Sequence, residues 1–192
     1  MSQFAPLVAD RFDPHESGTA VYNGVSAHRD AEGWVLDGTA RHVLDGDRVD
    51  RLAVVTDAGV FIVAANQAKA RRSSVFDPVL HVADLSFGEV HVPDSDRLTV
   101  DRERAHHVAL TGMAITMVGA CQRILDLVLE HVRSRQQFGV AIGSFQAVQH
   151  KAADMHVAIE RARALSYFAA LTIAADDPRR RLAAAMAKAS AG

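Results

Sequence analysis

The sequence is poor in cysteine: it has one, Cys121, so no internal disulfide can form and nothing points to an oxidising compartment. It also lacks an excess of charge. Lys and Arg number 21 against 23 Asp and Glu, a net charge of −2, and that balance gives no electrostatic case for nucleic acid or an anionic membrane surface. No uninterrupted apolar run approaches the roughly 20 residues of a membrane span. The first thirteen residues, Met1–Asp13, hold no basic stretch followed by an apolar one, so no secretory signal is read there. What is present is 49% hydrophobic and 23% charged residues, enough for one large domain or two small ones. The expectation is a soluble protein of the cytoplasm with no nucleic-acid partner and no membrane span.

The hydrophobic period changes near residue 100, which predicts a β-domain over 1–100 and a helical domain over 101–192. Residues 33–43 begin with an aromatic-aliphatic run after the turn residues Asp30–Gly33. Residues 52–64 are two apolar runs divided by Thr56-Asp57-Ala58-Gly59, a hairpin signal because glycine accepts the positive φ of tight turns. Residues 85–92 alternate, with Gly88 at a change of phase that suggests a bulge and Pro93 ending the run. Short strands with frequent turn signals predict an antiparallel sandwich or barrel. Arg71-Arg72-Ser73-Ser74 reads as a solvated loop.

From Val108 the stripe Val108, Ile115, Val118, Cys121, Leu125, Val128, Val132 marks one face of a long helix, with Gly112, Ala114, Gly119 and Ala120 as small residues on a flank. Ser144 stands where an N-cap belongs. A second stripe follows through Phe145, Val148, Ala152, Met155, Ile159, Ala162, Leu165, Ala169 and Ile173. Asp176-Asp177-Pro178 opens a third, alanine-rich helix, with Pro178 at its first position, that runs uncapped into Gly192. The expected class is therefore α+β: an antiparallel β-domain, then long antiparallel helices of an incomplete four-helix bundle. The ten histidines lack the spacing of a metal site, and none is predicted.

Between the two long stripes the chain reads Arg135-Gln136-Gln137-Phe138-Gly139-Val140-Ala141-Ile142-Gly143-Ser144-Phe145-Gln146, followed by Ala153-Asp154-Met155. This resembles the acyl-CoA dehydrogenase signature, in which R-x-Q-F-G, a short Gly-containing loop, S-F-Q and A-D-M occur in this order. Gly119, Gln122 and Arg123 resemble the family's G-x-x-Q-R turn. Residues 33–39 and 87–93 look like two hallmarks of its middle β-domain, while its N-terminal helical domain has no counterpart here.

The resemblance implies FAD as cofactor and acyl-CoA thioesters as substrates. The implied reaction is α,β-dehydrogenation in fatty-acid or sterol side-chain breakdown, carried out by a dimer or tetramer, homo- or hetero-oligomeric. It assigns Arg135, Gln137, Phe138 and Gln146 to a surface that holds the FAD of a neighbouring subunit. An arginine fork suits phosphate, the glutamines add neutral donors, and Phe138 offers a ring face.

Against the family pattern, Ala9-Asp10-Arg11 replaces a T-E-P-like turn, and Ala40–Leu44 replaces K-x-W-I-T, leaving His42 where a tryptophan packs by the flavin, a cofactor-binding candidate that can still stack and donate. The family's usual catalytic carboxylate lies beyond Gly192. The alternative base position falls at about Ala109, with Glu103 as the nearby carboxylate and otherwise an ordinary acid at a helix start. These departures raise a second possibility, a non-catalytic subunit of a hetero-oligomer that lends its loop to a partner's FAD site.

Overall fold

The computed structural model describes residues 5–8 and 15–192. The chain divides into two compact units, the first ending at Ala105 and the second starting at His106. In the first unit a short helix α1 (Ala5–Val8) precedes eight strands: β1 (Gly18–Val21), β2 (Val25–Arg29), β3 (Trp34–Leu44), β4 (Arg51–Thr56), β5 (Gly59–Ala64), β6 (Lys69–Arg72), β7 (Val82–Val92) and β8 (Arg97–Leu98). They form two four-stranded sheets, ordered β1-β4-β5-β8 and β2-β3-β7-β6. The α+β class holds, with a two-sheet sandwich in place of a closed barrel. One pairing departs from the antiparallel expectation, since β1 runs parallel to β4.

Local chemistry explains the turns. Asp30 Oδ1 accepts the N–H groups of Glu32 and Gly33, and the Asp30 N–H donates to the Gly33 carbonyl, so Asp30 closes the β2–β3 turn. Thr56 pairs with Gly59 across a two-residue Asp57-Ala58 loop, the hairpin expected there. The β3–β7 register slips twice. Near Gly88 an extra residue on β7 puts Glu89 at φ 51°, which is the expected bulge. Between Ala40 and Val43 the extra residue is on β3, and His42 lies at φ 58°.

Val21, Leu36, Leu52, Val54, Phe61, Val63, Leu85 and Phe87 fill the space between the sheets. The other face of the first sheet is covered by Leu7, Val8 and Ala105 packing on Ala20, Ala53 and Val60. That double cover explains why β4 reads as an unbroken apolar run.

Of the stretch Arg71–Ser74 expected as a loop, Ser73 and Ser74 are irregular, but Arg71 and Arg72 belong to strand β6 (Lys69–Arg72). This strand pairs with β7 as the edge of its sheet, and all four of its residues are exposed. Its lack of hydrophobic alternation hid it, while charged side chains on an edge are what such a position favours.

The second unit begins inside a long helix, α2 (Arg102–Ser134), whose first residues belong to the β unit. Next come a two-stranded ribbon, β9 (Gln136–Gln137) with β10 (Val140–Ala141), and helices α3 (Gln146–Ala174) and α4 (Arg180–Ala191). Val118, Leu125, Ile159 and Ala162 form one buried cluster, and Ala114, Ala169, Ala183 and Ala187 another. Small side chains along the second seam let the helix backbones approach closely.

Ile115 and Cys121, placed on the apolar stripe by periodicity, are exposed, as are Phe145 and Met155. A polar network also joins α2 to α3. Arg163 donates to Gln122 Oε1 at 2.8 Å and to Glu160 Oε1 at 3.1 Å, and Gln122 donates to Asp126 at 2.9 Å.

Both expected helix starts shift. Phe145, not Ser144, is the N-cap of α3 and makes no side-chain cap bond; the Ser144 hydroxyl donates to the Ala141 carbonyl instead. Pro178 lies in the turn ahead of α4, which starts at Arg180. There the Asp177 carboxylate accepts the Arg179 N–H at 2.8 Å and is gripped by the same residue's guanidinium. Those bonds, side chain first and backbone second, lower the Asp177 pKa to about 2. Helix α2 is long and apolar enough to cross a membrane by length and composition alone, although no uninterrupted apolar run of that length occurs in it.

Candidate functional site

The segment 135–146 is held by its own backbone. Arg135 leaves α2 with its N–H still bonded to the His131 carbonyl at 2.8 Å, and its own carbonyl accepts the Ile142 N–H at 2.8 Å. Between these bonds Gln137 pairs with Val140. The two residues that join them, Phe138 (φ 51°) and Gly139 (φ 78°), both have positive φ, as a type I′ hairpin turn requires. Glycine takes that conformation freely. Phenylalanine pays of the order of 1 kcal/mol for it. The result is an aromatic side chain at the hairpin tip, 93% exposed, touched edge-on by Phe145 with ring centroids 6.3 Å apart.

Arg135 and Gln146 are exposed, and neither side chain has a hydrogen-bond or ion-pair partner among the described residues. The Gln137 amide donates to the Gln136 carbonyl at 2.8 Å, which fixes its headgroup beside the turn. The segment 135–146 thus exposes a cation with spare donors, two amides and an aromatic ring within a short stretch of chain. That donor set fits a dinucleotide: guanidinium and amides for a diphosphate, ring faces for a base. An apolar cavity of about 260 Å³ lies behind it, lined by Leu129, Val132, Ala141, Val148 and Ala152, with Arg133 and Gln149 also on its wall.

His42 and Glu103 belong to the other unit. His42 is exposed at the β3 bulge, where its backbone N–H donates to Asp84 Oδ1 at 3.2 Å. That bond, and a second from Arg71 at 2.8 Å, hold the Asp84 carboxyl below its ordinary range. The bulge, its positive φ and the Asp84 anchor were not legible in the sequence. Histidine tolerates the left-handed region better than most residues, but no local turn pattern marks it. Leu44, which ends the same strand, is 49% exposed and offers no hydroxyl. Glu103 is exposed in the first turn of α2, where Asp101 Oδ1 accepts the Arg104 N–H, so this carboxylate sits at an ordinary capped helix start. The Ala9–Arg11 turn lies outside the described residues. Among the described residues no group of three or more His, Cys, Asp or Glu side chains could hold a metal ion.

Residues 100–192 match the model of the acyl-CoA dehydrogenase C-terminal domain. The chain is 33% identical over 65% of its length to the acyl-CoA dehydrogenase IpdE2 of Mycobacterium tuberculosis, of which the match covers 36%. It is 27% identical over 81% of its length to the mitochondrial isovaleryl-CoA dehydrogenase of Arabidopsis thaliana, covering 42% of that protein. A solved structure described as the Tcur3481-Tcur3483 steroid ACAD G363A variant superposes with a TM-score of 0.75 at 25% identity, over 90% of this chain and 51% of the other. The fold is thus that of the middle and C-terminal domains of these oxidoreductases. The chain belongs to the acyl-CoA dehydrogenase family and spans roughly a third to a half of the relatives it matches.

Proposed function

We propose that this chain supplies the cofactor-holding surface of an FAD-dependent acyl-CoA dehydrogenase acting on fatty-acyl or sterol side-chain thioesters. The observation that carries the reading is the 135–146 hairpin, where Arg135 and Gln146 have no partner within the chain and Phe138 is held in a costly conformation that exposes its ring. Backbone strain of this kind persists where it serves a purpose, and here it presents an aromatic face outward. Arg135 would bind the diphosphate, Gln137 and Gln146 would orient it through neutral donors, and Phe138 with Phe145 would cover the base. FAD, when bound, supplies the two-electron acceptance that the α,β-dehydrogenation of a thioester needs. Exposed and unpartnered within the described residues, the surface is assigned to the dinucleotide of a neighbouring subunit, as the family resemblance implies, and the working unit would then be an oligomer. The steroid description of the Tcur3481-Tcur3483 relative supports a sterol-derived acyl group as substrate.

A second reading is favoured by the flavin-facing strand. With His42 on a bulge, Leu44 lacking a hydroxyl and Glu103 spent at a helix start, the chain serves a partner's flavin while holding none itself. Visible flavin absorbance in the purified protein, expressed without any partner, supports the first reading and contradicts the second. Phe138→Asn tests what both share. Asparagine accepts the turn at lower cost, so the hairpin is expected to gain about 1 kcal/mol in urea unfolding while FAD retention falls. Unchanged retention would remove Phe138 from the site.

A further inference from the structure

Beyond the hairpin, the β unit carries one segment that neither the fold nor the cofactor reading accounts for. Edge strand β6 ends in Arg71-Arg72 and runs straight into Ser73-Ser74-Val75-Phe76, an irregular stretch in which Ser74 and Phe76 are exposed, Ser73 and Val75 are half-buried, and the Ser73 N–H donates to the Val82 carbonyl at 2.8 Å. Ser74 is exposed, and its hydroxyl has no partner among the described residues. Arginines stand three and two residues before it, both exposed, and the Arg71 side chain keeps 79% of its accessibility even while paired with Asp84. Val75 follows directly, and Phe76 beyond it is fully exposed.

Other hydroxyls lack this combination. Ser134 is bonded to the Glu130 and His131 carbonyls, Ser17 to Asp50, and Ser144 to Ala141, while Ser166 is buried. Thr99 has Arg97 two residues before it, but that guanidinium is committed to the Ala58 carbonyl and the Trp34 ring.

We infer that Ser74 is a phosphorylation site for an arginine-directed serine/threonine protein kinase. Such an enzyme selects its substrates by charge pattern: acidic pockets take the two upstream guanidiniums, an apolar one takes Val75, and the peptide must be extended and free of tertiary cover. Here the residues before Ser74 are already extended, at a sheet edge. In the transfer Ser74 Oγ forms a bond to the γ-phosphorus of ATP as the bond to the β,γ-bridging oxygen breaks. The seryl proton passes to the kinase base, and ADP leaves.

The product would carry about −1.5 to −2 charges at pH 7 within reach of Arg71 and Arg72. Phosphate is a stronger bidentate partner for arginine than a carboxylate that already accepts another bond. Arg71 would therefore turn from Asp84 to the phosphate, leaving Asp84 with only the His42 N–H. The modification thus loosens the anchor of the β3 bulge.

The test treats the whole 192-residue chain, folded, with the catalytic domain of an arginine-directed serine/threonine kinase and ATP, and maps the phosphate by mass spectrometry. One phosphate on Ser74 is expected. Ser74→Ala should abolish it, Ser73→Ala should leave it, and Arg72→Ala should lower kcat/KM tenfold or more. Incorporation that persists in Ser74→Ala overturns the assignment. So does labelling of a free 69–80 peptide when the folded chain takes none, since the segment would then be closed in the native protein. In the NMR spectrum, a shift of the His42 amide on phosphorylation supports the link to the bulge, and an unmoved resonance refutes it.

Discussion

The two units bury different things. In the β unit the fully buried side chains are large, among them Phe61, Leu36, Leu52 and Leu85, and they form a continuous core between the sheets. In the helical unit the buried set is dominated by alanine, while Ile124, Leu127, Val157, Tyr167, Phe168, Leu171 and Leu182 are exposed. Buried area of this kind contributes about 25 cal/mol per Å², so the β unit draws its stability from its own chain. The helical unit leaves much of that stabilisation unrealised, as an apolar surface meant to be covered by further protein would. The 135–146 hairpin sits on this incompletely covered unit, which agrees with the proposed role of a surface that works in an assembly.

The contrast can be broken most sharply at Phe61. It is fully buried and its ring centroid lies 5.3 Å from that of Trp34, the only tryptophan. Phe61→Ala should cost about 3–5 kcal/mol, read as an earlier urea midpoint in Trp34 fluorescence. A midpoint unmoved would show that the sandwich core is not what stabilises this unit.

At the alanine seam the opposite error is the damaging one. Ala187→Leu adds volume where none is free and should cost about 1–3 kcal/mol of helical stability by circular dichroism. If leucine is accepted without loss, α3 and α4 do not approach as closely as their small residues indicate.

The smallest effect is electrostatic. Asp177 has its folded-state pKa lowered to about 2 by Arg179. Its contribution is therefore present above the ordinary aspartate value of about 4 and is lost as pH falls from there through about 2. Asp177→Asn should flatten the acid limb of the helical transition in that window only. An identical profile in both proteins would show that the Asp177–Arg179 contact contributes nothing.

Much of this was legible in the sequence, for identifiable reasons. Asp30 and Gly33, and the Thr56–Gly59 loop, announced their turns because those residue types satisfy or permit a particular backbone geometry. The stripe ending in Ile159, Ala162, Ala169 and Ile173 announced α3 because burial follows its period. Strand β6 was missed because its pairing is imposed by β7 and not by any pattern of its own. Ser144 was misassigned because a 3-10 turn takes up its hydroxyl before the helix starts. The hairpin at Phe138-Gly139 carried a single local cue, Gly139, since phenylalanine is not a turn former. What the signature order conveyed was the family; which side chains stand unpartnered in that loop required the structure.

The most direct test of the cofactor-holding role is the affinity of the assembled oligomer for FAD with and without the Arg135 guanidinium. A charge-assisted bond to phosphate contributes about 1.5–3 kcal/mol, so Arg135→Ala should weaken FAD binding by roughly ten- to a hundredfold in a titration of the apoprotein, with the oligomer intact. Unchanged affinity in an intact oligomer would contradict the role assigned to the hairpin.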